Sequence, residues 1–225
     1  GTNWFIFNLQ QIGYYRVNYD TNNWNQLIRT LNSENYHQIH VLNRAQLVDD
    51  ALTFAFDGYI SYDIAFGIVS YLERETDYIP WYPATVAFDK IDYILKGRSL
   101  QSQFRRFVRI LMRRFYVTNG LENLPTDGVY EQFGRELSID WTCRMGDERC
   151  LSYAYSKLNS EIPKPLEVTL LCNGFKGLGR QTEFVAWYRK FQSASDQADR
   201  LRYLDGLTCS SDLKTITDLL ETTLG

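Results

Sequence analysis

The sequence predicts a mainly α-helical fold, an α-solenoid of antiparallel helix pairs of the HEAT or armadillo kind, preceded by a short β-hairpin. Residues 4–19 carry short apolar or alternating runs that are typical of strands, whereas from residue 20 onward apolar residues recur every three to four positions. The predicted helices are roughly 10 to 17 residues long, and their short connections make neighbouring helices antiparallel. Such helices in series favour stacked helical hairpins over a compact bundle.

The predicted hairpin occupies the first part of the chain. Residues 4–7 read Trp-Phe-Ile-Phe, residues 14–19 alternate bulky and polar side chains, and Gly13 lies between the two runs at a suitable turn position. Two strands alone are marginally stable in water. The hairpin is therefore expected to belong to a sheet that this chain does not contain.

The helices are predicted from capping residues and helix breakers. Asp20 or Thr21 is expected to cap the first helix, which buries Trp24, Leu27, Ile28 and Leu31. Gly58 ends the second helix, Ser61 caps the third, and Pro83 is placed in the first turn of the fourth. The helices after the first are predicted at 44–56, 62–74, 83–95, from Ser99 or Ser102 to about 119, and at roughly 130–142, 148–158, 166–175, 180–192, 196–205 and 211–223.

Composition excludes several classes of protein. The chain has 225 residues, of which 44% are hydrophobic and 23% charged, so a sizeable core is available. Its net charge of −3 argues against a nucleic-acid partner, which usually requires a basic chain. No apolar run of about 18 residues is present, so direct membrane insertion is not expected. The absence of an initial Met and of a signal peptide suggests a segment of a longer protein.

Four cysteines occur, and none forms a C-x-x-C pair, which argues against a zinc ribbon or a redox motif. Four cysteines allow three disulfide pairings. The favoured one joins Cys143 to Cys150 across a helix-turn-helix corner and Cys172 to Cys209 between helices, and it would place the domain outside the cytosol. The alternative is four reduced, buried cysteines in a cytosolic protein.

No catalytic or metal-binding residue is predicted in this chain. The two histidines, His37 and His40, lie three residues apart in an expected loop and are interpreted as ordinary surface side chains. The chain has no H-E-x-x-H, G-x-S-x-G, Walker or dinucleotide-binding motif. The neighbouring carboxylates Asp49 and Asp50 are interpreted as structural rather than catalytic.

An arginine-rich segment precedes residue 116. Arg105, Arg109 and Arg113, with Arg106 and Arg114, alternate with apolar residues so that the arginines share one helical face. One interpretation is binding of an anion, an acidic peptide or a phosphate backbone. The interpretation favoured by the net acidic chain is a solvated face paired with acidic neighbours. Arg105, Arg109 and Arg113 are therefore only candidate surface-interaction residues.

Four sequence motifs occur along the chain in an order that is typical of one protein family. They are the run from Trp4 to Asn8 with the motif Gly13-Tyr14-Tyr15-Arg16-Val17-Asn18-Tyr19-Asp20 and Trp24, the segment 44–51, the segment Pro80-Trp81-Tyr82-Pro83-Ala84, and the two cysteine spacings. Together they resemble the aminopeptidase N family of zinc peptidases. The resemblance implies a structural role for the junction motif, whose candidate residues are Gly13, Tyr14, Tyr15, Arg16, Asn18, Tyr19 and Asp20. It also implies the two disulfides named above.

The family has an N-terminal β domain, a thermolysin-like catalytic domain, a small β-sandwich and a C-terminal helical domain. The resemblance implies that residues 1–20 end the β-sandwich and that 21–225 form the helical domain, truncated at its C-terminal end. The catalytic zinc would lie in the parent catalytic domain. No cofactor and no catalytic residue are expected in this fragment.

The resemblance further implies a function for the parent, which would remove N-terminal amino acids from peptides at the extracellular face of the plasma membrane. The helical domain would cover the active-site cavity, restrict substrate access and offer an interaction surface. Implied partners are the catalytic domain of the same chain, the peptide substrate and a toxin or viral protein, with an insect midgut member as the suggested source. The alternative is a stand-alone receptor or binding module without an enzymatic role.

Overall fold

The structure, a computed structural model, describes residues 4–177 and 181–224, which contain eleven α-helices and no strand. The prediction of a mainly α-helical fold is therefore confirmed. The helices are α1 (Thr21–Leu31), α2 (Val41–Phe56), α3 (Tyr62–Val69), α4 (Tyr78–Ile94), α5 (Leu100–Asn119), α6 (Val129–Arg144), α7 (Glu148–Lys157), α8 (Glu167–Gly177), α9 (Gln181–Ser193), α10 (Gln197–Leu207) and α11 (Leu213–Leu224).

The chain divides into two compact units, Gly1–Gly120 and Leu121–Gly225. In the first unit α2 packs against α3 and α4, and α5 packs against a 3₁₀ turn at Ser70–Arg74. In the second unit α8 packs against α6, α7 and α10. The α-solenoid arrangement and the domain boundary after residue 20 stay predictions.

The first helix follows the sequence pattern closely. The Asp20 carboxylate caps α1 by accepting a hydrogen bond from the Asn23 amide at 2.8 Å. Trp24, Leu27 and Leu31 have no exposed surface, whereas Ile28, which is also predicted to be buried, is only half-buried. Full burial of each such side chain contributes about 1.5–3 kcal/mol, so packing rather than helix propensity stabilises this element.

Helices α3 and α4 differ from the prediction at their ends. Helix α3 ends at Val69, and the remainder of the predicted helix is the 3₁₀ turn. Helix α4 begins at Tyr78 because the Asp77 carboxylate accepts from the Ile79 amide at 2.8 Å and caps it. Pro83 consequently lies in the second turn of the helix and not in the first.

The described part of the N-terminal segment, residues 4–20, contains no strand, so the predicted hairpin is not confirmed. A 3₁₀ turn spans Leu9–Gln11, and Asn8, Gln10 and Gln11 have left-handed backbone angles, with φ between 55° and 56°. Backbone groups without a neighbouring strand must find other partners. Here several of those partners are polar side chains of α1 and α2.

Candidate functional site: the N-terminal junction cluster

The junction motif is held to α2 by a charged cluster. The Arg16 guanidinium contacts the carboxylates of Asp49 and Asp50, at 3.1 Å from Asp50 Oδ1. The other Asp50 oxygen accepts a hydrogen bond from the Val17 amide at 3.0 Å. Burial raises the pKa of Asp50, while the Val17 amide and Arg16 oppose that rise. The Asp50 carboxylate thus anchors the backbone at Val17, which agrees with the interpretation of Asp49 and Asp50 as structural residues.

Two buried asparagines fasten the segment that precedes the motif. The Asn23 side chain of α1 accepts from the Phe5 amide at 3.1 Å and donates to the Phe5 carbonyl at 3.0 Å. Asn43 of α2 accepts from the Gln10 amide at 3.0 Å and donates to the Asn8 carbonyl at 3.2 Å. Each amide therefore satisfies an N–H and a C=O, as a neighbouring strand would.

The remaining motif residues connect the segment to α1. Asn18 Oδ1 accepts from Trp24 Nε1 at 2.9 Å, and the Tyr19 hydroxyl accepts from the Phe7 amide at 3.1 Å. The rings of Tyr19 and Trp24 meet edge to face with centroids 5.1 Å apart. Tyr14 and Tyr15, in contrast, are exposed.

Gly13 and the cluster's left-handed residue Asn8 close a small loop. The Gly13 amide donates to Asn8 Oδ1 at 2.7 Å, and Asn8 Nδ2 donates to the Gly13 carbonyl at 2.8 Å. A cavity of about 310 Å³ lies beside this loop and is lined in part by Tyr14, Tyr15 and Gln46. Of the seven motif residues, Gly13, Tyr14, Tyr15 and Arg16 line this cavity. Asn18 and Tyr19 form the contacts with Trp24 and Phe7, and Asp20 caps α1.

A buried ion pair that sequence reasoning missed links α2 to the start of α4. The Arg44 guanidinium donates to Glu75 Oε2 at 2.7 Å and to the Ile39 carbonyl at 2.9 Å. Glu75 is 1% exposed, and its carbonyl accepts from Trp81 Nε1 at 3.2 Å. A buried charge requires a partner. The sequence carried no distinct signal for this pair, because α2 also buries the polar residues Asn43, Gln46 and Asp50, and Glu75 lies 31 residues from Arg44.

The three candidate surface arginines occupy different environments. Arg105 forms a two-pronged ion pair with Asp92, with N–O distances of 2.8 and 2.9 Å, which raises the pKa of Arg105. Arg109 is half-buried, and Arg113 is exposed. The Arg105 geometry agrees with a helix face that is partly neutralised by acidic neighbours.

The cysteines are bonded as Cys143–Cys150 and Cys172–Cys209. His37 is exposed, and His40 Nδ1 accepts a hydrogen bond from the Leu42 amide at the start of α2. In the described part of the chain no three His, Cys, Asp or Glu side chains converge as a metal site requires. No helix of that part combines the length and apolar character that crossing a bilayer requires.

The whole described chain is similar to one protein family. Residues 4–225 match the family model of the ERAP1-like C-terminal domain. Aminopeptidase N of Plutella xylostella is 34% identical over 93% of this chain and 23% of its own length. Membrane alanyl aminopeptidase of Heliothis virescens is 32% identical, and the thyrotropin-releasing hormone-degrading ectoenzyme of Mus musculus is 29% identical, each over 98% of this chain and 22% of the relative. The chain therefore spans less than a quarter of these relatives.

Proposed function

This chain belongs to the family of ERAP1-like C-terminal domains, and from that premise we propose that it is the non-catalytic C-terminal domain of a zinc aminopeptidase that removes N-terminal amino acids from peptides. The match over residues 4–225 carries the proposal, since it covers the junction motif and both disulfides. The aminopeptidase relatives support it, although each is more than four times longer than its matched region.

Zinc would be held by the part of the parent outside this chain. The residues present do not fit a catalytic zinc: all four cysteines are in disulfides, and His40 caps a helix. Two disulfides also support a parent that works outside the cytosol, as do relatives named membrane aminopeptidases and ectoenzymes. The parent would be anchored at the extracellular face of the plasma membrane.

The domain's own contribution would be to cover the active-site cavity and to restrict which peptides enter. Its implied partners are the catalytic domain of the same chain and the peptide substrate. A toxin or viral partner, and the alternative of a stand-alone receptor module, stay predictions that the family match does not support.

The first experiment assays the purified chain beside the parent protein, both with alanine p-nitroanilide and added zinc. We expect the parent to release nitroaniline and the chain to show no turnover. Zinc-dependent turnover that follows the purified chain through successive columns would contradict a non-catalytic domain.

The covering role is tested on the intact parent. An enclosed site should cleave a short peptide and should fail on the same N-terminal sequence attached to a folded protein by a few residues. We expect kcat/KM to fall by at least about a hundredfold for the folded substrate. Equal rates on the two substrates would contradict restricted access and leave the non-catalytic role untouched.

A further inference from the structure

An open apolar groove lies within the first unit, between α3, α4 and α5. Its volume is about 660 Å³, and apolar side chains supply nearly all of its lining. They include Tyr62 and Phe66 of α3, Ile91 and Ile94 of α4, and Leu100 and Phe107 of α5. The family match does not assign a role to this groove.

The groove exposes apolar surface to water although its walls are ordered helices. The rings of Phe66 and Phe107 meet edge to face, with centroids 5.6 Å apart, and fix two opposing walls. Tyr62 is 45% exposed and Leu100 is 55% exposed. Contiguous apolar surface of this kind marks binding grooves, because covering it removes apolar area from water.

The charge around the groove is predominantly, though not entirely, positive. Helix α5 carries five arginines and no acidic residue, and Lys96 and Arg98 lie in the connection from α4. Arg106, next to the lining residue Phe107, is exposed and forms no ion pair with any residue that the structure describes. The acidic residues of the walls are Asp63 of α3 and Asp89 and Asp92 of α4, and Asp92 is paired with Arg105, so basic residues still outnumber acidic ones. A partner with acidic flanks is therefore complementary to this rim.

The length of the groove matches one binding mode. Along α5 it extends from Leu100 to Phe107, about 10 Å at 1.5 Å per residue. This is the distance between residues i and i+7 of a helix, which are the outer anchors of an amphipathic helix in an apolar groove. We propose that this groove binds an amphipathic helix of a partner protein, with apolar residues at i, i+3 or i+4 and i+7 and with Asp or Glu on its flanks.

The test uses the full chain and two synthetic helices with a fluorescent label. Both peptides carry Leu at i, i+3, i+4 and i+7, and their flanks are Glu in one and Lys in the other. We expect saturable binding of the Glu peptide, measured by fluorescence anisotropy, at least about tenfold tighter than that of the Lys peptide. Affinity should fall with added salt, because Arg106 is exposed.

Two variants locate the site, and a third controls for folding. Leu100→Ser removes an exposed lining side chain and Arg106→Glu reverses the rim charge, so each should weaken binding by about tenfold. Val117→Ser alters a residue of the same helix that is 71% exposed and does not line the groove, and it should bind like the unaltered chain. Far-UV circular dichroism verifies that all three variants fold.

Several results would overturn the proposal. They are equal affinity for the Glu and Lys peptides, unchanged binding by Leu100→Ser, and absence of any binding. Self-association that is lost in Leu100→Ser would assign the groove to a second copy instead. Tighter binding of anionic vesicles or of RNA than of the Glu peptide would assign the basic rim to those ligands. None of these outcomes bears on the proposed aminopeptidase role.

Discussion

The Arg44–Glu75 pair shows how much a single buried charge can matter in this chain. Glu75 accepts bonds from Arg44 and from the amides of Thr76 and Asp77, at 3.1 Å for each amide. Glu75→Gln keeps the shape of the side chain but leaves the Arg44 charge without its counter-ion. We expect a loss of about 3–5 kcal/mol in the free energy of unfolding, measured with urea.

The matched control for that substitution is Glu34→Gln. Glu34 is an ion-pair partner of Arg74, at 3.1 Å, but its side chain is 97% exposed. Its loss should cost no more than about 0.5 kcal/mol, since solvent screens exposed pairs. Similar losses in the two variants would contradict a structural role specific to the buried pair.

Glu136 of α6 gives a pH-dependent prediction. Burial, and to a smaller degree the neighbouring carboxylate Asp140, raise the pKa of Glu136 above 4.5, while the Thr169 hydroxyl opposes this. The folded state therefore holds this proton more tightly than the unfolded state does. The protonated Glu136 carboxyl therefore makes its full contribution to the free energy of unfolding below pH 4.5. That contribution is lost as the pH rises through the raised pKa of the folded state.

Glu136→Gln removes this ionisation. The variant should be more stable than the unaltered chain at pH 7, by less than about 1 kcal/mol, because the residue is only half-buried and solvent screens its charge. The gain should vanish near pH 3.5, where both states are protonated. Thermal melts at the two pH values check it, with Glu131→Gln on the same helix as the control. A gain that is the same at both pH values would exclude the ionisation as its cause.

At the scale of the element, the N-terminal segment is expected to depend on its asparagine contacts. Asn43→Ala removes the bonds to the Gln10 amide and the Asn8 carbonyl while leaving the α2 backbone unaltered. Amide exchange of residues 8–12 should accelerate about tenfold, which corresponds to the loss of one or two net hydrogen bonds.

Hydrogen-exchange mass spectrometry measures that effect on the whole chain. Asn22→Ala, at an exposed position in the first turn of α1, should leave exchange in residues 8–12 unchanged. If Asn43→Ala exchanged like the unaltered chain, or if α2 lost its protection as well, the asparagine would not be a local fastener of the segment.

The sequence predicts elements well where the signal is local. The 3.6-residue period and the Asp20 cap define α1, and three of its four predicted core residues, Trp24, Leu27 and Leu31, are fully buried. The predicted strands of residues 4–19 are not confirmed, because a strand depends on a neighbour, and within the described residues polar side chains satisfy several backbone groups instead. The motif residues were identified by resemblance, but Asn23, Asn43 and Glu75 were not, because their partners lie 18 to 35 residues away along the chain.

At the scale of the whole molecule, the disulfides are unevenly distributed. Both lie in the unit Leu121–Gly225, and neither lies in the unit Gly1–Gly120. In the chain-entropy treatment, a bridge spanning 7 residues contributes about 2.5 kcal/mol and one spanning 37 about 4 kcal/mol. Reduction should therefore destabilise the second unit far more than the first.

Differential scanning calorimetry of the full chain, with and without a phosphine reductant, tests this asymmetry. Under oxidising conditions we expect the two units to unfold in one transition or in two that overlap. On reduction the unfolding transition of the second unit should move to lower temperature and separate from that of the first. Exchange mass spectrometry assigns each transition to its residues. The double variant Cys172→Ser/Cys209→Ser should reproduce most of the shift, because it opens the longer loop, and Cys143→Ser/Cys150→Ser should reproduce less. An equal shift of both units on reduction would show that they unfold as one cooperative body, and the local effect expected of the bridges would then be wrong.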